Sequence, residues 1–239
     1  MLTNQQIKTL ATKFQTTEYN IAQEYCQHIF LSVFYSQPLS NQVFFKGGTA
    51  LRIVFDSPRF SEDLDFSSNL SIHQLQKLLK ETLKKMQGFN LKTNLLESKS
   101  TSGGFLAIFS CDFLDFSIQL QMEVSKRNKS QLTGEIFTIN SDFIPAYTLF
   151  DLQTKKLIAE KIEATLSRQK PRDFFDIYFL LRSRLIEPAQ KKRLTEIKTL
   201  ALKSRINFSH ELKQFLPISF HPIIKNFKKT LINEIDRNI

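Results

Sequence analysis

The sequence predicts an α+β fold, in which a mixed β-sheet with flanking helices occupies residues 1–140 and an all-helical region occupies residues 141–239. Two patterns support this division. A strand, a helix and a second strand follow one another between residues 42 and 67, and three further strand-like runs come after them. From Pro145 onward, apolar residues recur at helical spacing instead. Because no low-complexity linker separates the two regions in the sequence, we expect them to enclose one cleft.

The first elements can be placed from caps, turns and periodicity. Thr17 is the predicted N-cap of a helix that ends near Tyr35, since apolar residues recur every four positions between them. A Gly-Gly loop and an Asp-Ser-Pro turn then separate three short elements. These elements are a strand at 42–45, a helix at 49–55 and a strand at 63–67.

The later elements follow by the same reasoning. Ser71 is the predicted cap of a helix that ends at Gly88, and Pro171 stands where proline favours the first turn of a helix. The remaining strands are predicted at 89–96, 105–113 and 116–124. The helices of the second region are predicted at 151–167, 173–185, 188–205, 209–215 and 222–236.

The composition is that of a globular protein with an aromatic core. The chain has 239 residues, with 23 Phe and no Trp. Cys26 and Cys111 are far apart and lack metal-ligand spacing, and Cys26 lies on an apolar helical stripe, so we expect a buried free thiol. The N-terminus is polar and no apolar run approaches the length of a membrane span. We therefore expect a cytoplasmic protein with no membrane partner.

The net charge of +10 is concentrated near the C-terminus. Residues 182–239 contain 13 Lys/Arg against 5 Asp/Glu, whereas the other 181 residues contain 20 against 18. Such an asymmetry favours a polyanionic partner such as nucleic acid, because neutralised phosphates release counterions. A solvated basic helical face is the alternative interpretation.

The first candidate site is the loop Lys46-Gly47-Gly48-Thr49. Glycines allow the backbone to approach a phosphate closely, and the amides at the start of the following helix face the anion. The loop lacks the Gly-Lys-Ser/Thr order of a Walker A motif, so ordinary P-loop chemistry is not expected. A tight turn would explain the two glycines equally well when they are considered alone.

The second candidate site is a pair of carboxylates. Asp63 and Asp65 are one residue apart on a predicted strand, so they point to the same face, where a cation would relieve their repulsion. With Glu123 from a later strand, they would hold two magnesium ions. Together with the glycine loop, this arrangement predicts an enzyme that handles nucleoside triphosphates.

The third candidate site lies at the junction of two predicted helices. Lys161 and Arg168 are seven residues apart and so share a helical face, while Arg172, Asp173 and Asp176 occupy the first turns of the next helix. Lys161 would neutralise triphosphate oxygens, and the two acids would orient cations or the nucleotide. A structural cluster of ion pairs is the alternative. The histidines show no ligand spacing; they are His28, His73, His210 and His221.

Three segments together resemble the AbiEii/AbiGii toxin family, which belongs to the DNA polymerase β-like nucleotidyltransferase superfamily. They are Lys46-Gly-Gly-Thr-Ala-Leu, Arg59-Phe-Ser-Glu-Asp-Leu-Asp-Phe, and Ala159-Glu-Lys-Ile-Glu-Ala with Arg172-Asp-Phe-Phe-Asp-Ile-Tyr. The resemblance runs from about Asn41 to Leu181, and the basic C-terminal helices match only in general character. It implies a nucleotidyltransferase fold for residues 1–140 and a helical region, 141–239, that closes the active-site cleft.

The resemblance also implies roles for the matched residues. These are triphosphate binding by Gly47, Gly48 and Ser61, magnesium binding by Asp63 and Asp65, phosphate contact by Lys161, and a carboxylate needed for activity at Asp173. By position alone, Lys46, Thr49, Arg168, Arg172 and Asp176 join the expected nucleotide-binding set. The third metal-binding carboxylate stays open, with Glu123 preferred and Gln119 or Asp115 as alternatives that would frame the site.

Family members that this chain resembles act as toxins of toxin–antitoxin or abortive-infection systems, and some transfer nucleotides to the 3′ end of tRNA. The leading hypothesis is therefore a magnesium-dependent nucleotidyltransferase that uses an NTP, with tRNA as acceptor and a cognate antitoxin as partner. One alternative is a non-enzymatic nucleic-acid-binding or nucleotide-binding module on the same fold. The other is an enzyme that attaches a nucleotide to a protein hydroxyl group.

Overall fold

The computed structural model describes residues 1–128, 130 and 132–239, which form two compact units. The first unit consists of Met1–Asp56 and Phe60–Gln153, and the second of Ser57–Arg59 and Thr154–Ile239. The segment Ser57–Arg59 therefore belongs to the helical unit, although it lies within the first unit in sequence.

The first unit contains four helices and all of the strands in the described part of the chain. The helices are α1 (Asn4–Phe14), α2 (Glu18–Tyr35), α3 (Gly47–Phe55) and α4 (Ile72–Met86). The strands are β1 (Val43–Lys46), β2 (Leu64–Ser68), β3 (Lys92–Thr101), β4 (Gly104–Phe113), β5 (Phe116–Lys126), β6 (Gly134–Ile139) and β7 (Tyr147–Leu152). The predicted caps are confirmed, since the hydroxyls of Thr17 and Ser71 accept hydrogen bonds from backbone N–H groups three residues later.

The seven described strands form one mixed sheet in the order β3-β4-β5-β2-β1-β7-β6. At its centre, β2 is antiparallel to β1 and parallel to β5. This arrangement, with helices α2 and α4 packed against the sheet, confirms the predicted α+β fold. The sheet order also brings β2 beside β5, although 47 residues separate the two strands in sequence.

An aromatic cluster fills the core between the sheet and α2. The ring of Phe66 on β2 lies 5.3 Å from that of Phe45 on β1 and 5.6 Å from that of Phe34 on α2, measured between centroids. Phe30 stacks on Phe109 of β4 at 5.2 Å. Rings at these separations add favourable quadrupole contacts to the burial of large apolar surfaces. Because side chains alternate along a strand, the neighbours of these buried residues, including Asp65, point to the opposite face of the sheet.

The two cysteines meet in this core. The Sγ atoms of Cys26 on α2 and Cys111 on β4 lie 3.1 Å apart, and both thiols are free and buried. The predicted burial of the Cys26 thiol is thus confirmed, but its partner could not be found from spacing, because the two residues lie on different elements. The hydrogen bond with Cys111, together with burial, raises the pKa of the Cys26 thiol well above its usual value.

Strand β7 corrects the sequence analysis, which assigned its residues to the helical region. Tyr147–Leu152 lies in the sheet between β1 and β6. Its inward positions alternate as a strand requires, but one of them is the acid Asp151, which hides the two-residue period of apolar residues. The neighbouring strand β6 was not predicted either, because it lies at the sheet edge and buries only Ile139.

The second unit is helical in its described residues. Its helices are α5 (Thr154–Arg168), α6 (Pro171–Arg182), α7 (Pro188–Lys191), α8 (Leu194–Lys203), α9 (Phe208–Leu212), α10 (His221–Lys225) and α11 (Phe227–Asp236). Pro171 and Pro188 each begin a helix, as predicted. Nowhere in the described ranges is a helix long and apolar enough to cross a membrane.

Candidate active site

The residues of the predicted glycine loop form a direct junction between β1 and α3. Lys46 ends the strand, and the first turn of the helix begins at Gly47, a position that requires a glycine. Gly47 has a φ of +86°, which side-chain-bearing residues rarely adopt. A Cβ atom built there would also stand 2.7 Å from the Cβ and 2.8 Å from the Cγ of Asp65. The first turn of α3 therefore lies directly against the Asp65 carboxylate. Its N-cap is Lys46, whose ammonium group has no acceptor with which to cap the free N–H groups.

Thr49 fixes this helix to the acidic strand. Its hydroxyl group is buried and donates a hydrogen bond to the carbonyl oxygen of Asp63. The predicted nucleotide-binding role of Thr49 stays a prediction, but the observed bond explains why a hydroxyl is present at this position. It holds the backbone at Asp63 beside the start of α3.

Three neighbouring strands bring charged side chains together on one face of the sheet. Asp65 of β2 stands directly beside Lys46 of antiparallel β1 and beside Glu123 of parallel β5. Directly paired residues in a sheet point to the same face. Asp65 is half-buried and Glu123 is exposed. We name Lys46, Asp63, Asp65 and Glu123 the acidic site.

The same register distinguishes among the candidates for the third carboxylate. Gln119 lies four residues before Glu123 on β5, which is about 13 Å along a strand. Asp115 lies in the turn that precedes β5. Of the three candidates, only Glu123 is paired with Asp65.

Hydrogen bonds from neighbouring residues hold the acidic site in place. The Gln121 side-chain amide donates to Glu123 Oε1 at 2.7 Å, and Lys46 Nζ donates to the Ser125 hydroxyl at 3.2 Å. Gln27 of α2 donates from Nε2 to the carbonyl oxygens of Ser61 and Glu62, at 2.8 and 3.0 Å. Gln27 was not predicted as part of the site, because nothing in the sequence distinguishes it from the other polar residues of α2, several of which are buried too.

A second charged cluster lies within the helical unit and is centred on Asp176 of α6. Arg59 Nε donates to its Oδ1 at 2.9 Å and Arg59 NH2 to its Oδ2 at 3.1 Å. Lys161 Nζ of α5 donates to the same Oδ2 at 2.7 Å. All three side chains are buried. Burial raises the pKa of Asp176, but the guanidinium and ammonium groups outweigh this effect and hold the pKa below its ordinary value.

This geometry supports the structural alternative for Asp176 and Lys161, because each already uses its charge on a buried partner. Their predicted nucleotide-binding roles stay predictions. Arg59 was part of a quoted motif but received no role from the sequence. Its partner lies 117 residues away, which no local spacing reveals.

Asp173 differs from Asp176 although both lie on α6. Its Oδ1 accepts a hydrogen bond from Arg168 NH2 at 2.7 Å, but its Oδ2 is buried and has no hydrogen-bond partner among the described residues. The carboxylate lies in the first turn of the helix, where the dipole favours negative charge. Asp173 therefore keeps one buried carboxylate oxygen without a hydrogen-bond partner among the described residues. Arg172, also predicted to bind the nucleotide, lies 3.6 Å from Glu211 through its Nε atom.

A family model described as the nucleotidyl transferase AbiEii toxin of type IV toxin–antitoxin systems matches residues 29–237. The chain belongs to this family. It is thus a nucleotidyltransferase toxin of a type IV toxin–antitoxin system, and the resemblance inferred from the three segments is confirmed. The non-enzymatic alternative is set aside by the same result. A search of curated protein sequences finds no match.

Two solved structures share the fold of this AbiEii family member. The nucleotidyltransferase toxin MenT4 of Mycobacterium tuberculosis H37Rv is 15% identical over 99% of this chain and 90% of its own, with a TM-score of 0.69. JHP933 of Helicobacter pylori is 18% identical over 93% of this chain and 96% of its own, with a TM-score of 0.59. At these identities the likeness establishes the fold alone.

The acidic site fits a divalent cation in its chemistry. Carboxylate oxygens are the ligands that magnesium prefers, and Asp65 is held against the start of α3. Within the described residues, however, no three His, Cys, Asp or Glu side chains are grouped closely enough to hold a metal ion. Asp63, Asp65 and Glu123 thus do not by themselves form a complete metal-binding site. Magnesium commonly takes only one or two carboxylates and completes its shell with phosphate oxygens and water, so this arrangement suits a metal that arrives with a nucleotide.

Proposed function

We propose that this AbiEii family enzyme transfers a nucleoside monophosphate from an NTP to RNA, with the 3′ end of tRNA as acceptor and magnesium as cofactor. The observation that carries the proposal is the alignment of Lys46, Asp65 and Glu123 on three adjacent strands beside the start of α3. We also propose a cognate antitoxin as partner, on the basis of the family description. The cytoplasmic location stays a prediction.

In the proposed reaction, a hydroxyl oxygen of the acceptor forms a bond to the α-phosphorus of the NTP. The bond between that phosphorus and the β-phosphate oxygen breaks, and pyrophosphate leaves. The acceptor proton passes to a base, for which Asp173 is our candidate, since its Oδ2 has no hydrogen-bond partner among the described residues. A bound magnesium ion would neutralise charge on the phosphates.

The protein residues supply binding and orientation. We propose that the N–H groups at Gly47 and Gly48 bind phosphate oxygens, since uncapped helix starts favour anions. Asp63 and Asp65 would hold the metal, and Lys46 would add a positive charge at the same face. Ser61 is the remaining member of the proposed triphosphate-binding set, and its backbone is already fixed by Gln27.

The test is an incubation of the purified protein with α-labelled NTPs, magnesium and total RNA. Wild type should transfer label to RNA, and Asp65→Asn should reduce the rate by about 100-fold or more, since each 1.4 kcal/mol of lost transition-state stabilisation is about tenfold. Asp112→Asn is the matched control, because Asp112 is an exposed acid in the same unit whose contact is with Ser117. Equal rates for wild type and Asp65→Asn would refute the proposal.

The acceptor class is decided by digestion of the labelled product. Label that is released by ribonuclease and resists protease supports an RNA acceptor. Label that is released by protease alone would overturn the RNA acceptor and identify a protein hydroxyl group instead.

A further inference from the structure

The helical unit contains a basic pocket of about 640 Å³ between the segment that leads into α9 and the start of α11. Its lining includes four cations, Arg205, Lys225, Lys228 and Lys229, and none of its lining residues is acidic. Pockets of roughly 300–1,000 Å³ are typical of ligand sites. The size and the single sign of charge therefore indicate an anionic ligand.

No carboxylate neutralises these four cations in the described structure. None of them forms an ion pair within the described ranges of the chain. Lys228 donates from Nζ to the carbonyl oxygens of Leu202 and Ser204, at 2.6 and 3.1 Å, so its charge is anchored but not cancelled. Several other basic residues of the unit, by contrast, are paired with carboxylates, as Arg193 is with Glu163. Four like charges around one concave surface repel each other, and an anion between them would remove that repulsion.

The backbone at the pocket adds to the positive potential. Asn226 and Lys229 lie at the N-cap and in the first turn of α11, a ten-residue helix, and the Asn226 side chain makes no capping hydrogen bond in the described structure. The first N–H groups of this helix therefore add their dipole to the charges of the side chains.

We propose that this pocket binds the phosphate backbone of the RNA acceptor. Arg205, Lys225 and Lys229 have long, exposed side chains, which suit successive phosphates of a chain better than one enclosed small anion. The aromatic lining residues Phe208 and Phe227 are buried and offer no stacking face, so the pocket contacts backbone without selecting bases. This assignment locates a binding surface for the acceptor of the proposed function, and it depends on that acceptor being RNA.

The test compares two double charge reversals in the full chain. Lys225→Glu with Lys229→Glu changes the pocket, and Lys192→Glu with Lys213→Glu is the matched control, because those two lysines are exposed, belong to the same helical unit and lie outside the pocket. Both proteins lose the same net charge. Binding of a short labelled single-stranded RNA is measured without NTP over a range of salt concentrations.

The pocket variant should bind RNA about tenfold or more weakly at low salt, and the slope of log affinity against log salt should fall by about 1.4, or about 0.7 for each lost phosphate contact. The control should change affinity by less than about threefold. In transfer assays the pocket variant should show a raised KM for RNA and an unchanged kcat at saturating RNA. Lys225→Gln with Lys229→Gln, which only neutralises the charges, should fall between the pocket variant and wild type.

Equal RNA binding by the pocket and control variants would overturn the assignment. Pocket-dependent binding of inorganic phosphate or of NTP alone, with RNA affinity unchanged, would also overturn it and identify a small-anion site. Failure of the proposed function has a different signature, since the binding measurement contains no NTP. A wild type that transfers no label but binds RNA through these lysines would refute the transfer and retain the pocket.

Discussion

Replacing Asp176 with asparagine should destabilise the protein rather than remove a reacting group. The substitution keeps the shape of the side chain but leaves Arg59 and Lys161 buried, with exposures of 3% and 8%, and without their counter-charge. Breaking a buried ion pair by removing one partner costs about 3–5 kcal/mol. For a chain of this size, each kcal/mol shifts Tm by about 2–4 °C, so we expect Tm to fall by roughly 6–20 °C.

The matched comparison is Asp173→Asn, three residues earlier on the same helix. Its partner Arg168 has a side chain that is 55% exposed and can be solvated when the carboxylate is lost, so the free energy of unfolding should change by less than about 1 kcal/mol. Transfer activity should nevertheless fall strongly, because Asp173 holds the unpaired oxygen. Circular dichroism melts and label transfer well below Tm separate the two effects.

The free energy of unfolding at acid pH gives a second test of the role of Asp176. Its folded pKa lies below the ordinary value of 3.8, so its contribution to stability is fully present above that value and is lost as pH falls through the folded pKa. Asp176→Asn should therefore flatten the loss of stability below about pH 3.8. A variant that melts like wild type and loses transfer would refute the reasoning and make Asp176 part of the chemistry.

Three further predictions concern the first unit. Gly47→Ala should lower the free energy of unfolding by about 1 kcal/mol or more and displace Asp65, so transfer should fall together with Tm; unchanged transfer would contradict the required close approach. Burial, followed by the charge of a nearby arginine, lowers the pKa of His28 from 6.5 to about 3. The free energy of unfolding should therefore fall as pH drops between these values, by up to about 1.4 kcal/mol per pH unit. His28→Gln should reduce this slope in urea titrations at several pH values. Cys26 and Cys111 should not react with a thiol reagent until the protein unfolds, and rapid labelling of the native protein would contradict their burial.

Much of the fold could be predicted because its signals are local. Alternation along a predicted strand at 63–67 favoured a common face for Asp63 and Asp65, but β2 begins at Leu64, so Asp63 directly precedes the strand. A glycine loop before a helix indicated an anion site, which stays a prediction. The partner strand of Asp65 could not be predicted in the same way. Its pairing with Glu123 depends on the parallel contact between β2 and β5, which is set by the topology of the whole sheet.

A polar residue at an interior position makes a strand hard to predict from sequence. Asp151 on β7 is fully buried, and neither carboxylate oxygen has a hydrogen-bond partner in the described part of the chain. Burial and the charge of Glu135 raise the pKa of Asp151 well above its ordinary value. A neutral carboxyl group can occupy a core position, but in the sequence it is indistinguishable from a charged surface residue, so the strand was missed.

The contrast between Asp173 and Asp176 gives a physical criterion for separating reactive acids from structural ones. Both are buried acids in the first turns of α6, and both lie in the motif that carried the resemblance. Asp176 accepts three hydrogen bonds from two buried cations, so no oxygen is left for a substrate without breaking an ion pair. Asp173 keeps one buried oxygen unpaired, which costs stability unless another group uses it. The cost is tolerable in an enzyme if that oxygen meets its partner in the reaction, and this is why we assign the proton acceptor to Asp173.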